Sequence, residues 1–354
     1  MKIGIDISQI VYQTGVSRYT AELVKHLVKL DKSNQYLLYA GSIRCRSYLK
    51  SFIQSLGSVR ISSQITFLSP KLINLAWNYW RILPPPNCDV FHASNWALPK
   101  LKAKLITTIH DLTFLKYPKE HLPYYISVHT QHLKLAKKYA SKIIAVSEST
   151  KKDLIAEGFN PDKIKVIYEA ADSIFKPTDP RPVKAKYKLT KPYYLSVGTL
   201  EPRKNLKRLI QAFQVLNNPR RELVIAGKFG WGEPIIKSKN VRILGFVPNE
   251  DLAGLYSGAL SFIYPSLYEG FGLPVLEAMA CGCPVIISNT SSLPEIGGQA
   301  ALYVNPLKLN DLIQAMKIVS KLNLSQRSLQ QSKKFSWEKT TKETLAVYQE
   351  AVQC

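Results

Sequence analysis

Tyr264 to Ile286 reads YPSLYEGFGLPVLEAMACGCPVI, and this stretch decides the fold. An aromatic and β-branched run ends at Tyr264, a short loop carries Glu269, Gly270 and Gly272, and a helical pattern opens at Leu273 and Pro274. Proline is pre-organised for a first helical turn, where its missing N–H costs nothing. A strand feeding a glycine-bearing loop and then a helix turns backbone amides toward whatever lies beyond the helix N-terminus, and the peptide dipoles there favour anions. Gly270 and Gly272 let a ligand approach the backbone closely, so the amides of Phe271, Gly272 and Leu273 predict a phosphate cradle. Glu269 and Glu277 flank it. Carboxylates beside a phosphate fit only where they take hydroxyl groups and where cations stand close by.

Those cations are expected from GTLEPRKN, Gly198 to Asn205, where a strand ends at Gly198 and a helix begins close to Asn205. Arg203 and Lys204 stand at the junction. A guanidinium fork and an ammonium point charge suit a diphosphate, each charge-assisted hydrogen bond contributing about 1.5 to 3 kcal/mol. Working outward, short β-branched runs alternate with longer helical stretches, the pattern of parallel sheets covered by helices on both faces. One series has strands near Lys2 to Asp6, Tyr36 to Ala40, Ile65 to Leu68, Asp89 to Ala93, Leu105 to His110, Lys142 to Val146 and Lys165 to Tyr168. A second has strands near Tyr193 to Val197, Glu222 to Ala226, Val241 to Leu244, Leu260 to Tyr264, Val285 to Ser288 and Ala301 to Val304. The α/β chain therefore divides into two Rossmann-like domains, 1–175 and 193–335. The proline-rich run ending at Pro192 supplies a linker at 176–192. In SWEKTTKETLAVYQEAV, Trp337, Leu345, Tyr348 and Val352 share one face and predict a helix over 336–354 that returns to the first domain.

With 354 residues, 46% of them hydrophobic, the chain is long and apolar enough for two packed units and is neither a disordered nor a fibrous protein. The 48 basic against 25 acidic residues give +23, which points to anionic partners: phosphates, nucleic acid or acidic lipid. The excess is 12 over residues 1–175 and 11 over residues 176–354, so there is no basic tail. No nucleic-acid-binding motif accompanies it, and nucleic acid is not expected as a partner. Five cysteines, an odd number in a long chain, fit a reducing compartment. Cys281 and Cys283 stand in an apolar run without histidine, which predicts buried thiols and no zinc site. The N-terminus, MKIGIDISQI, lacks the pattern of a signal peptide, and no window reaches 18 uninterrupted apolar residues. A cytoplasmic protein is expected, attached to a membrane only from the side. No G-x-G-x-x-G follows the first strand, which argues against NAD.

In these segments the chain resembles the retaining nucleotide-sugar glycosyltransferases of GT-B architecture, in the large group 1 / family 4 type that contains bacterial mannosyl- and glucosyltransferases for polysaccharides and glycolipids. The specific parts are GTLEPRKN and the pair Glu269 and Glu277. TGVSRY from Thr14, FHASNWALP from Phe91, TIHDLTFL from Thr108, AVSESTKKDL from Ala145 and SSLPEIGG from Ser291 support it. The resemblance implies two Rossmann-like domains facing across a cleft, and transfer of a hexosyl group from a nucleotide-sugar donor, GDP-mannose before UDP-glucose, to a saccharide or lipid-linked acceptor. It implies that Arg203 and Lys204 bind the donor diphosphate, that Glu269 contacts hydroxyls of the transferred sugar, and that Glu277 holds the ribose. Gly198 and the backbone of Gly270 to Leu273 would complete that site. Phe246 and Val247 would lie where the base is read, Gly15 in the loop after strand one would approach the phosphates or acceptor, and His110 would line the reaction centre in a positioning role. No Asp-x-Asp occurs, so no catalytic metal and no cofactor are expected. Where relatives often carry an acid, Gln299 stands. A phosphorylase or a sugar-nucleotide epimerase of the same architecture, or from another class a basic nucleic-acid-binding protein, remain the competing readings.

The acceptor side is less specific. In YYISVHTQHLKLAKKYASK, Tyr125, Val128, Leu135 and Tyr139 share one face and Lys134, Lys137 and Lys138 lie toward the other, which reads either as a core-packed helix with a solvated lysine face or as a helix that docks on lipid. NLAWNYWRIL, Asn74 to Leu83, adds Trp77 and Trp80 as acceptor wall, membrane contact or core. With the positive charge, an anionic membrane surface is a candidate partner.

Overall fold

The computed structural model describes residues 1–12, 14–85, 87–232 and 238–353. The chain divides into Met1–Glu169 with Trp337–Cys354, and Ala170–Ser336; Cys354 itself lies outside the described residues. In the first unit, β1 (Lys2–Asp6), β2 (Gln35–Gly41), β3 (Ile61–Thr66), β4 (Val90–Ala93), β5 (Lys104–Ile109), β6 (Lys142–Ala145) and β7 (Ile164–Val166) form a parallel sheet in the order β3-β2-β1-β4-β5-β6-β7. Its central strands are buried along their length, as for sheets covered on both faces. The chain moves outward from β1 in one direction and resumes at β4 in the other, so the order reverses between these neighbours. Open α/β sheets bind ligands outside the strand carboxyl ends at such a reversal. β3 begins four residues before the expected Ile65. Its sequence, ISSQIT, is largely exposed edge strand, and the apolar residues that follow it are not part of the sheet.

The helix Trp337–Gln353 completes this unit, burying Trp337, Thr340, Thr341, Thr344, Val347, Tyr348 and Ala351. The buried stripe is thus rotated from the expected one: Leu345 is half-buried and Val352 is exposed. Two of the three threonines are buried with their hydroxyls spent on backbone carbonyls. Thr344 Oγ1 donates to Thr340 O at 2.7 Å, and Thr340 Oγ1 donates to Tyr168 O at 2.7 Å. Tyr348 OH and His92 Nδ1 are hydrogen-bonded at 2.7 Å, and the Trp337 ring lies 5.9 Å from that of Tyr19.

In the second unit, β8 (Tyr193–Val197), β9 (Glu222–Ala226), β10 (Val241–Gly245), β11 (Ser261–Tyr264), β12 (Val285–Ser288) and β13 (Ala301–Val304) form a parallel sheet in the order β10-β9-β8-β11-β12-β13. Here the reversal falls between β8 and β11. Residues 176–192, read from sequence as a linker, are built into this unit. Arg181–Lys186 is helical, Val183 is buried, and Lys186 Nζ and Tyr187 OH both donate to Asp251 Oδ2, at 2.5 and 2.6 Å. Prolines at 180 and 182 fix the entry to that helix, where a composition-based reading sees only a breaker. Cys281 and Cys283 are buried thiols, and burial pushes the Cys281 thiol up to about 12.

At the carboxyl end of β9, Gly227 has φ of +156°, and a Cβ there would lie 1.8 Å from the carbonyl oxygen of Gly198. Gly227→Ala is therefore expected to destabilise the second unit by about 2 to 4 kcal/mol, lowering its thermal midpoint by roughly 5 to 15 °C. A melt unchanged within a degree or two would show that the two strand ends part at little cost.

Candidate active site

The loops that leave β8 and β11 are neighbours because those strands are paired, and side chains stitch them together. Asn205 adopts a left-handed conformation, φ +57°, between the turn Pro202–Lys204 and the helix Leu206–Leu216. Its amide donates to Pro265 O at 3.1 Å and to Pro306 O at 2.8 Å, and Leu267 N donates to Arg203 O at 2.9 Å. This closure brings Arg203 and Lys204 onto Glu269. Lys204 Nζ lies 2.7 Å from Glu269 Oε1 and 2.6 Å from Tyr264 OH; Arg203 Nη1 lies 3.0 Å from Glu269 Oε2 and donates to Tyr268 O at 2.6 Å. The other Arg203 nitrogen binds the carboxylate of Glu201. Two cations and two carboxylates, all largely buried, thus share one small volume.

The titration behaviour follows from that crowding. Burial opposes ionisation of Glu269, but Arg203 and Lys204 outweigh it and hold the carboxyl at about 2. Lys204 is lowered from its ordinary value by burial and then by the charge of Arg203, which the carboxylates only partly offset. Burial and then the charge of Glu269 push the Tyr264 phenol far up, so it stays protonated.

Gly198 lies beneath this cluster; a Cβ there would stand 3.6 Å from Lys204 Cε. Gly270 and Phe271 lead into the helix Leu273–Ala280, and Gly272, at φ +122°, packs so tightly that a Cβ would meet Leu293 at 2.8 Å. Ser292 Oγ pins the loop, lying 3.0 Å from Glu269 O and 2.5 Å from Phe271 O. Glu277 is 2% exposed within the helix, and its Oε2 accepts from Tyr256 OH at 3.1 Å. Phe246 and Val247 follow β10, two strands from β8; Phe246 is exposed under Lys228 Nζ, 4.7 Å from its ring, and Val247 is buried.

In the first unit, Gly15 is the first residue of the helix Gly15–Leu30 and not a loop residue as expected. Thr14 caps that helix reciprocally with Ser17, which draws Gly15 into the first turn. His110 follows β5, and its Nδ1 lies 2.9 Å from Glu169 Oε1, with both side chains buried and the Tyr19 ring edge-on at 4.8 Å. Asp111, its acidic neighbour in sequence, is spent locally instead, its Oδ1 accepting from Thr113 N at 2.9 Å and Thr113 Oγ1 at 2.5 Å. Sequence reasoning missed Glu169, Tyr19, Glu201 and Tyr264. Glu169 follows directly after an expected strand, on the edge where ligands bind, and that position was the available signal.

Two family models match: "Glycosyl transferases group 1" over residues 179–334 and "Glycosyltransferase Family 4" over residues 13–173. O-antigen chain mannosyltransferase B of Escherichia coli is 33% identical, with 98% of this chain and 99% of that protein covered. O-antigen chain mannosyltransferase RfbU of Salmonella typhimurium is 31% identical over 69% of each chain. Among solved structures, sucrose-phosphate synthase of Thermosynechococcus elongatus matches with a TM-score of 0.73 at 17% identity, covering 99% of this chain and 98% of that one. Anabaena HepE in complex with UDP and glucose matches with 0.72 at 16% identity, covering 99% and 100%. The chain belongs to the group 1 / family 4 glycosyltransferases, has the GT-B fold of two Rossmann-like domains, and is an enzyme of the hexosyltransferase kind.

Removing the shared carboxylate has a signed consequence. The Glu269 carboxyl is depressed from 4.5 to about 2, so its stabilisation is fully present above about pH 4.5 and is lost as pH falls through about 2. Glu269→Gln is expected to cost about 3 to 5 kcal/mol near neutral pH, because two buried cations lose their partner. That deficit should narrow between about pH 4.5 and 2; urea unfolding of both proteins across this range measures it. A deficit constant with pH would mean that Glu269 is not ionised against these cations.

Proposed function

We propose that the enzyme is a retaining hexosyltransferase that moves mannose from GDP-mannose to a saccharide or lipid-linked acceptor in polysaccharide or glycolipid synthesis. The observation that carries this reading is the buried cluster of Arg203, Lys204 and Glu269 at the reversal of the second sheet. The mannosyltransferase relatives favour the sugar. In this reading the donor diphosphate takes over the two cations, and Glu269, relieved of them, grips hydroxyls of the transferred sugar. The bond from the anomeric carbon to the phosphate oxygen breaks and the acceptor oxygen bonds to that carbon on the same face. The departing phosphate oxygen takes the acceptor's proton, so the products are the nucleoside diphosphate and the extended acceptor. Cations fixed where charge grows on the leaving group stabilise the transition state more than the ground state. The backbone of Gly198 and of Gly270 to Leu273 frames the phosphates and sugar, Glu277 holds the ribose, Phe246 and Val247 flank the base, and Gly15 approaches the phosphates or acceptor. His110, oriented by Glu169 through Nδ1, contacts the transferred sugar with its other nitrogen.

With GDP-mannose as donor, Lys204→Ala is expected to lower kcat by about 10 to 100-fold or more, at roughly 1.4 kcal/mol per decade, and EDTA to leave the wild-type rate unchanged. Normal turnover by the variant would overturn the assignment of the leaving-group site.

The acceptor is presented, in the same reading, from the inner face of a cytoplasmic membrane. Among the described residues no helix is long and apolar enough to cross a membrane. The helix Pro123–Tyr139 buries Val128, His129, His132, Leu133, Leu135 and Ala136, so Val128 and Leu135 of the expected face are inside and its two tyrosines are not. Burial holds His129 at about 4 and His132 at about 3, so both histidines are neutral core residues, and Tyr125 and Tyr139 are left outside. Trp77 is core, while Trp80 is 58% and Leu122 76% exposed. Lys71 stands over Tyr124 at 5.7 Å, and Arg81 and Lys138 over Tyr139 at 5.0 and 5.1 Å. Aromatic groups rimmed by cations suit an anionic lipid surface. The protein is expected to sediment with vesicles containing phosphatidylglycerol and not with neutral vesicles, and Trp80→Ser with Leu122→Ser to weaken this; sedimentation indifferent to acidic lipid would remove the membrane from the scheme.

A further inference from the structure

The reversal of the first sheet, between β1 and β4, holds a crevice of which the roles above use only His110. It is lined by Asp6 at the end of β1, Gln9, Tyr19, Asn95 after β4 and His110 after β5, and its volume is about 10 Å³, room for one water-sized group. What that group must be follows from the hydrogen bonds around it. Thr20 Oγ1 donates its proton to Val16 O at 3.0 Å and therefore can only accept from Gln9, whose Nε2 lies 2.7 Å away. This fixes the amide orientation and leaves Gln9 Oε1 as the other end. Gln9 is 7% exposed, and Oε1 has no hydrogen-bond partner among the described residues. Asp6 gives Oδ1 to Ser8 N at 2.9 Å and Ser8 Oγ at 2.5 Å, while its Oδ2, beside Ser94, makes no hydrogen bond of good geometry. The lining sets the unpartnered oxygens of Gln9 and Asp6 beside Asn95 and His110, with no lysine or arginine. A hydroxyl, which can donate to such an oxygen, fits it.

We infer that this crevice receives one non-reacting hydroxyl of the acceptor saccharide, which donates to Gln9 Oε1. The inference rests on the glycosyl-transfer reading. The crevice adjoins His110, which the proposed function sets against the transferred sugar, so its occupant stands at the reaction centre; with no cation in its lining to suit the donor diphosphate, the acceptor is favoured. Only a hydroxyl enters, so Gln9 selects for the configuration of one carbon of the acceptor ring.

The test uses the full chain with GDP-mannose, and methyl α-mannoside and its monodeoxy analogues as acceptors. The wild type is expected to lose about tenfold or more in kcat/KM with one analogue that still keeps the reacting hydroxyl. Gln9→Met, of similar shape but without the acceptor oxygen, is expected to be about tenfold weaker with the parent acceptor and to lose that discrimination. Gln9→Glu, which keeps an oxygen there, is expected to restore it, separating a lost hydrogen bond from a misfolded variant. A Gln9→Met enzyme that discriminates as the wild type does would mean the crevice holds an ordered water only. Discrimination that Gln9→Met abolishes for deoxy donors, and not for deoxy acceptors, would assign the hydroxyl to the transferred sugar and overturn the inference. A wild type that releases no GDP and transfers to none of these acceptors would defeat the proposed function's choice of GDP-mannose and a mannoside acceptor, on which the inference rests.

Discussion

One carboxylate shared by two buried cations holds the working edge of the second unit together. Glu269 arrives on the loop after β11 and Arg203 and Lys204 on the loop after β8, and these loops meet only because the sheet reverses its order between those strands. Buried charges are tolerable in such a place only when paired. The pairing also keeps the cations buried and in position with no ligand present, so an anion arriving there would meet positive groups already ordered. The electrostatic work of burying them is done by folding and not by binding.

The parts of this arrangement that sequence made readable were those encoded locally. A strand, glycine loop and proline-started helix from Tyr264 onward, and the Arg203-Lys204 pair at a strand-to-helix junction, each fit within a few consecutive residues. What escaped was set by distance or by hydroxyl chemistry. His110 finds its carboxylate in Glu169, 59 positions away, while the adjacent Asp111 is occupied with Thr113. The buried face of the helix Trp337–Gln353 includes three threonines, and that of Pro123–Tyr139 two histidines. Hydropathy assigns such residues to solvent, whereas local hydrogen bonding and loss of charge allow them inside. The helix at Arg181–Lys186 was hidden by prolines that mark its start.

The two sheets use their reversals for opposite chemistries. In the second unit the crossing point gathers cations and suits an anion; in the first it gathers oxygen acceptors and an imidazole, and suits neutral polar groups. A division of this kind lets one fold, repeated, discriminate between a charged and an uncharged substrate without any difference in the backbone plan.

The helix that contributes Trp337, Thr340 and Tyr348 to the first unit has an implication for how the protein is made. The second unit is one continuous stretch of chain, but the first needs residues that leave the ribosome after that whole stretch. At ordinary synthesis speeds of about 5 to 20 residues per second, the first sheet waits on the order of ten seconds or more for its last helix. Through that interval Tyr19, His92 and the backbone of Tyr168 lack their final covering. The nascent amino-terminal half is therefore the stretch that stays incomplete longest, although it is synthesised first.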